Sequence, residues 1–119
     1  MPNTNAYHIC GKTIGLSVAN TSHAAVTIES GDPSANALLI CNTSTAEMMY
    51  VTVASSQLGT GAAPTAAASV IPTDGAAGSI PILSYGEKAI EGLRFPVSIT
   101  AISSIAGPTL LTATPICLL

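Results

Sequence analysis

Apolar and polar side chains alternate in several short stretches of the chain, and a period of two marks a strand with one buried face. In TIGLSVA, residues 13–19, Ile14, Leu16 and Val18 alternate with Thr13, Gly15 and Ser17. AVTIES at 25–30 and VSITAIS at 97–103 repeat the pattern, and in EMMYVTVAS at 47–55 it puts Met49, Val51 and Val53 on one face. NALLICN, 36–42, is instead a continuous apolar run, which predicts a strand covered on both sides.

Turn formers separate these runs: SGDPSAN at 30–36, CNTST at 41–45, SYGEK at 84–88 and AGP at 106–108. No segment carries a helical stripe with start and stop signals. AAPTAAASV at 62–70 is rich in Ala, but Pro64 and Pro72 bracket it and Ser and Thr interrupt it. Residues 57–79 therefore read as a long loop with one short strand around Ser69 to Ile71. About seven to nine short strands at close spacing predict an all-β, single-domain β-sandwich. Jelly-roll connectivity is favoured over an immunoglobulin-like one, because there is no Trp to complete the Cys…Trp…Cys pattern. Residues 1–12 read as an N-terminal arm, and 13–119 as the sandwich with its loop at 57–79.

Composition changes the picture in one respect. Charged residues are only 8% of the chain, against about 25% in ordinary globular proteins, and Ala, Ser, Thr and Gly fill the difference. Such a surface suits a protein that spends its life docked on another. With a formal charge of −3 and only Lys12, Lys88 and Arg94 as permanent cations, no basic stripe exists to neutralise phosphates, and direct nucleic-acid binding is not expected. A hydrophobic fraction of 48% argues against disorder. No apolar run is long enough for a membrane span and no basic, apolar leader opens the chain, so neither anchor nor signal peptide is expected.

Candidate chemistry is sparse. Cys10, Cys41 and Cys117 form no CxxC pair and have no His at the usual metal-ligand spacing, which predicts structural roles; one disulfide stays open and no metal or cofactor is expected. His8 lies in a polar N-terminal segment and His23 in the turn NTSHAA, both more consistent with solvated side chains than with a base. No nucleophile elbow, phosphate loop or zinc-protease motif is present; GTGAAP at 59–64 lacks the Lys and helix of a phosphate loop. Glu87 and Glu91 are close in sequence, which suggests an acid/base pair as in glycosidases, but Tyr7, Tyr50, Tyr85 and Phe95 are the only aromatics for a sugar platform. The chain is expected not to be an enzyme.

Four charged side chains, Glu87, Lys88, Glu91 and Arg94, fall within eight residues of PILSYGEKAIEGLRF, 81–95. Here Pro81 to Leu83 end a strand, Tyr85 to Lys88 turn the chain, and Ala89 to Phe95 return before Pro96. The charges then mark the solvated rim of a hairpin, and this tip, with Tyr85, is a candidate docking surface. Val70 and Ile71 are the candidate apolar anchors of the long loop, which is expected to order on a partner.

The order of segments LLICN, MYVTVASS, SIPILSYGEKAIEGLRF and ITAISSIAGPTLLTATP, spanning roughly residues 14 to 116, resembles small tailed-bacteriophage head proteins of the cement or decoration type. The resemblance implies a β-sandwich, made in the host cytoplasm, that binds the outside of an assembled capsid shell. Its partner would be the major capsid protein, it would act as a homo-oligomer (dimer or trimer), and it would bring no catalytic residues. A head–tail adaptor, a small carbohydrate-binding sandwich and a hydrolase with an unrecognised site are the rival expectations.

Overall fold

A computed structural model describes residues 7–56 and 64–118. Nine strands are present, and no helix among the described residues: β1 (Tyr7–Ile9), β2 (Ile14–Val18), β3 (Val26–Ile28), β4 (Ala37–Asn42), β5 (Met49–Ser55), β6 (Ile80–Ile82), β7 (Glu87–Glu91), β8 (Val97–Ser103) and β9 (Thr109–Leu118). One sheet runs β1-β9-β4-β7, with β2 continuing the β1 side of β9; the other runs β3-β8-β5-β6, and every pairing is antiparallel. The pairs β2 with β9, β3 with β8, β4 with β7 and β5 with β6 nest inside one another. This is the pattern of one long hairpin rolled up into two sheets, the jelly roll.

The alternation read from the sequence supplies the core. Leu16 and Val18 of β2, Leu38 and Ile40 of β4, Met49 and Val51 of β5, Val97 and Ile99 of β8, and Leu111 and Ala113 of β9 are buried between the sheets. β4 is nearly continuous in burial because it lies between β9 and β7, with Leu39 and Cys41 half-buried on its outer side. Asn42, at its end, is 2% exposed and ties the sheets together: its Nδ2 donates to the Ile82 carbonyl of β6 at 3.1 Å and to the Glu47 carbonyl at 2.7 Å.

Two expectations are corrected. The stretch 81–95 is not a hairpin: β6 pairs with β5 in one sheet and β7 with β4 in the other, so the turn at 83–86 carries the chain across the sandwich. Glu87 and Lys88 accordingly belong to a strand and not to a turn.

No strand forms around Ser69 to Ile71, in the part of the long loop that is described, from Pro64 onward. This part lies over the outer face of the β8–β5 sheet. The Ala66 amide donates to Ser98 Oγ at 2.9 Å, Thr100 Oγ1 donates to the Ala67 carbonyl at 2.6 Å, and Ser69 Oγ lies 2.9 Å from Thr100 Oγ1. Ser69, Ser98 and Thr100 are each buried by this contact. The loop has little apolar surface, as its composition implies; hydroxyls hold it instead. Residues 57–63 of the predicted loop lie outside the described residues.

The described part of the N-terminal arm, finally, is a strand. Tyr7, His8 and Ile9 pair with Leu118, Cys117 and Ile116, and a disulfide joins Cys10 to Cys117 with Cα atoms 6.0 Å apart. Between Cys10 and Ile14 the first strand of the sheet is interrupted, and this gap faces Pro115 of β9. Because the Cys10 amide donates to the Pro115 carbonyl, the Pro115 nitrogen points into the same gap, so its missing N–H breaks no ladder bond. Gly11 fills the gap: a Cβ there would come within 2.8 Å of the Pro115 ring.

Candidate functional site

Among the described residues, the two most exposed large apolar side chains stand at the corner where β6 crosses to β7. Leu83 is 62% and Tyr85 77% exposed. A tight turn sets them there: the Gly86 amide donates to the Leu83 carbonyl at 2.8 Å, and Tyr85, at the third position, has a left-handed backbone with φ 55°. That position normally holds Gly or Asn, and a Cβ-bearing residue there costs about 1–2 kcal/mol. The Tyr85 amide donates to the Ser44 carbonyl at 2.9 Å, which braces the turn on the β4–β5 connection. On the other side of that connection, the Thr43 amide and hydroxyl both donate to the carbonyl of Leu110, whose side chain is 48% exposed. Leu83, Tyr85 and Leu110 thus flank one end of the sandwich, on either side of the exposed β4–β5 connection at Thr43.

The predicted charged residues are spread, not clustered. Glu87 and Glu91 stand at opposite ends of β7, four residues apart along a strand, which is about 13 Å. That exceeds the separation of a glycosidase carboxylate pair, about 5–9.5 Å. Glu87 lies opposite Cys41 and Glu91 opposite Ala37, both on the outer face, while Lys88 lies opposite Ile40 at the exposed edge. Arg94 follows the strand; its backbone amide donates to Ser55 Oγ at 2.7 Å, and its carbonyl accepts from the Ser56 amide. Its side chain lines a shallow groove of about 370 Å³ with Asp32, Pro33 and Phe95. Val70 is 54% exposed and Ile71 half-buried, on the loop over the opposite sheet. Val70 is held through its backbone by Ser79, which accepts from the Val70 amide at 2.9 Å and donates its own amide to the Val70 carbonyl at 2.8 Å.

Of the predicted interaction residues, then, Tyr85 and Glu87 share the β6–β7 corner, Lys88 stands next to it, and Glu91, Arg94, Val70 and Ile71 lie elsewhere. Leu83 and Leu110 were not singled out in the sequence. Leu83 continues the apolar run of β6, and Leu110 sits in the apolar pair Leu110–Leu111; nothing local tells that one member of the pair faces out.

Among the remaining polar groups, Cys41 is the free thiol. Burial pushes its pKa up, the hydrogen bond with Thr112 opposes this, and the negative charge of Glu87 adds to the rise. The Cys41 thiol donates to Glu87 Oε2 across 3.7 Å. At the opposite end of the same sheet, His8, Cys10 and Cys117 bring one ring nitrogen and two sulfurs within 4.8 Å of one another. The His8–Cys117 register was invisible in the sequence, where the two residues stand at opposite ends of the chain. His23 is turned back on its own segment, with Nδ1 2.7 Å from the Ala24 carbonyl.

No protein-family model, no curated protein and no solved structure matches this chain.

Proposed function

We propose that this jelly roll is a non-enzymatic virion protein that docks on the outer surface of a phage capsid and stabilises the shell. Its partner in this reading is the major capsid protein, and its own state is a dimer or trimer. The observation that carries the proposal is Tyr85: a large aromatic side chain 77% exposed on a backbone that disfavours it. Strain of this kind persists at positions where the side chain has work to do outside the fold. Tyr is also a preferred anchor of protein interfaces, since it brings contact area at low entropic cost.

The charge-poor surface supports the same reading. Docking of a face built from Leu, Tyr, Thr and Ser strips water from few ions, so little desolvation opposes the contact. Many copies of a modest interface then suffice. A ligand that binds the assembled lattice and not the free subunits stabilises the lattice by mass action, by about 2.7 kcal/mol per site at a hundredfold excess over Kd.

The test is the heat resistance of the particle. Particles stripped of this protein are to be heated with and without its re-addition, and genome release followed by dye fluorescence. The reading expects release at a higher temperature, in proportion to occupancy. Identical release curves at saturating protein would remove the cement role.

A further inference from the structure

The end of the sandwich away from Tyr85 carries three metal-ligating side chains in one place. His8 lies directly opposite Cys117 in the β1–β9 ladder, and Cys10 is two residues beyond His8, so all three side chains leave the sheet on the same side. Their ligand atoms lie within 4.8 Å of one another. The backbone fixes this arrangement on both strands, through the Cys10 amide on the Pro115 carbonyl and the close seat of Gly11 on the Pro115 ring. A second backbone tie comes from Ser30, whose hydroxyl donates to the Cys10 carbonyl at 2.5 Å.

Two sulfurs and an imidazole are the donor set that zinc prefers, and tetrahedral zinc takes ligand atoms at about 2.0–2.3 Å, which places neighbouring ligand atoms within about 4 Å of each other. Oxidised, the two sulfurs are bonded to each other and cannot hold a metal. Reduced, they are free thiols beside His8. Cys10 also borders an open groove of about 770 Å³ lined by Lys12, Glu29 and Asp32 among others, so a fourth position has access to water and to carboxylates. His8 itself is exposed, which gives the metal an entry path.

We propose that the reduced protein binds Zn²⁺ through Cys10 Sγ, Cys117 Sγ and a ring nitrogen of His8, and that oxidation to the disulfide releases it. The same staple between the chain's two ends is thereby made in either redox state. On binding, each thiol gives its proton to solvent as its sulfur takes the metal. On oxidation by a peroxide, the two sulfurs supply two electrons and form the sulfur–sulfur bond. The peroxide O–O bond breaks, two protons come from solvent, two waters leave, and Zn²⁺ is set free.

The experiment uses the full chain with Cys41→Ser, which removes the other thiol. The protein is reduced with a phosphine, freed of reductant, and titrated with zinc chloride against a chromophoric chelator; circular dichroism follows the fold. The reduced protein is expected to take up about one zinc per chain and the oxidised protein none. His8→Ala, a change at an exposed side chain, should weaken binding by more than about tenfold, the least that loss of even an outer-shell partner costs. Cys117→Ser should abolish binding, and hydrogen peroxide should release the bound zinc. Equal uptake by reduced and oxidised protein, or unchanged affinity in His8→Ala, overturns the proposal. So does a reduced protein that loses its β-sheet signal and does not regain it with zinc.

Discussion

Asn42 Nδ2 donates to the carbonyl of Ile82 across 3.1 Å, and this buried bond spans the two sheets of the roll. The same amide group donates to the Glu47 carbonyl, and its Oδ1 accepts from the Ser44 amide at 2.9 Å. One side chain therefore fixes the end of β4, the connection into β5 and the edge strand β6.

Asn42→Ala leaves two carbonyls and one amide without their partner at a site that is 2% exposed. Each orphaned buried group costs about 1–3 kcal/mol, less where water can enter, so a loss of about 3 kcal/mol is expected. Urea unfolding measures it as a lower midpoint with unchanged slope. A loss under about 0.5 kcal/mol would show that these bonds do not hold the sheets in register.

The loop over the outer sheet makes a separate prediction. Thr100→Val keeps the shape of the side chain but removes the hydroxyl that meets both the Ala67 carbonyl and Ser69 Oγ. The expected cost is about 1–2 kcal/mol. Hydrogen exchange should quicken at the amides of Ala66, Ser69 and Val70, which all donate to hydroxyls. Unchanged exchange there would mean that the loop is held by something other than this network.

How much of this was legible beforehand follows from the range of each interaction. β2, β4, β5 and β8 announce themselves because their burial alternates, or is continuous, within a few residues. β6 was legible only as a strand end at Pro81 to Leu83: it is three residues with Pro81 at its centre, tolerable because β6 is an edge. β7 was half-hidden for a related reason. Its charges, Glu87, Lys88 and Glu91, are those of a strand that guards a sheet edge, and they imitate the charges of an exposed turn. The sheet switch at 83–86, the loop's hydroxyl contacts and the meeting of Cys10 with Cys117 depend on partners 31 to 107 residues away, and no local period records them. Of the candidate interaction surface, Tyr85 was legible as a turn residue. Its left-handed backbone, which makes it notable, was not.

The disulfide between Cys10 and Cys117 closes nearly the whole chain, with a sequence separation of 107. Loop closure of about 100 residues corresponds to as much as about 4.7 kcal/mol, and measured native bridges lie at about 2–5 kcal/mol. Reduction in the presence of a chelator should lower stability by that order, seen in urea melts, and β1 should exchange its amides first. A reduced, metal-free protein as stable as the oxidised one would deny the bridge its role.

The Cys41 thiol should be slow to react. Burial first, and the Glu87 charge second, hold its pKa above the ordinary thiol value, so the thiolate fraction near pH 8 is low. Alkylation by iodoacetamide at that pH should be slower than for an unfolded control and faster in Glu87→Gln, which removes the charge but not the burial. An alkylation rate unaffected by Glu87→Gln would show that the carboxylate does not govern the thiol.

If the Leu83–Tyr85 corner docks on a capsid as proposed, Tyr85→Gly separates docking from folding. Glycine relieves the left-handed strain, about 1–2 kcal/mol, while widening the unfolded ensemble by about 0.5–1 kcal/mol, so stability should change by about 1 kcal/mol or less. The measurement is co-sedimentation of wild-type and Tyr85→Gly protein with shells assembled from the major capsid protein of the same genome. Wild type should pellet saturably with the shells, and the folded variant should stay in the supernatant over the same concentrations. Wild type that remains in the supernatant, or a variant that pellets as well as wild type, would contradict the claim.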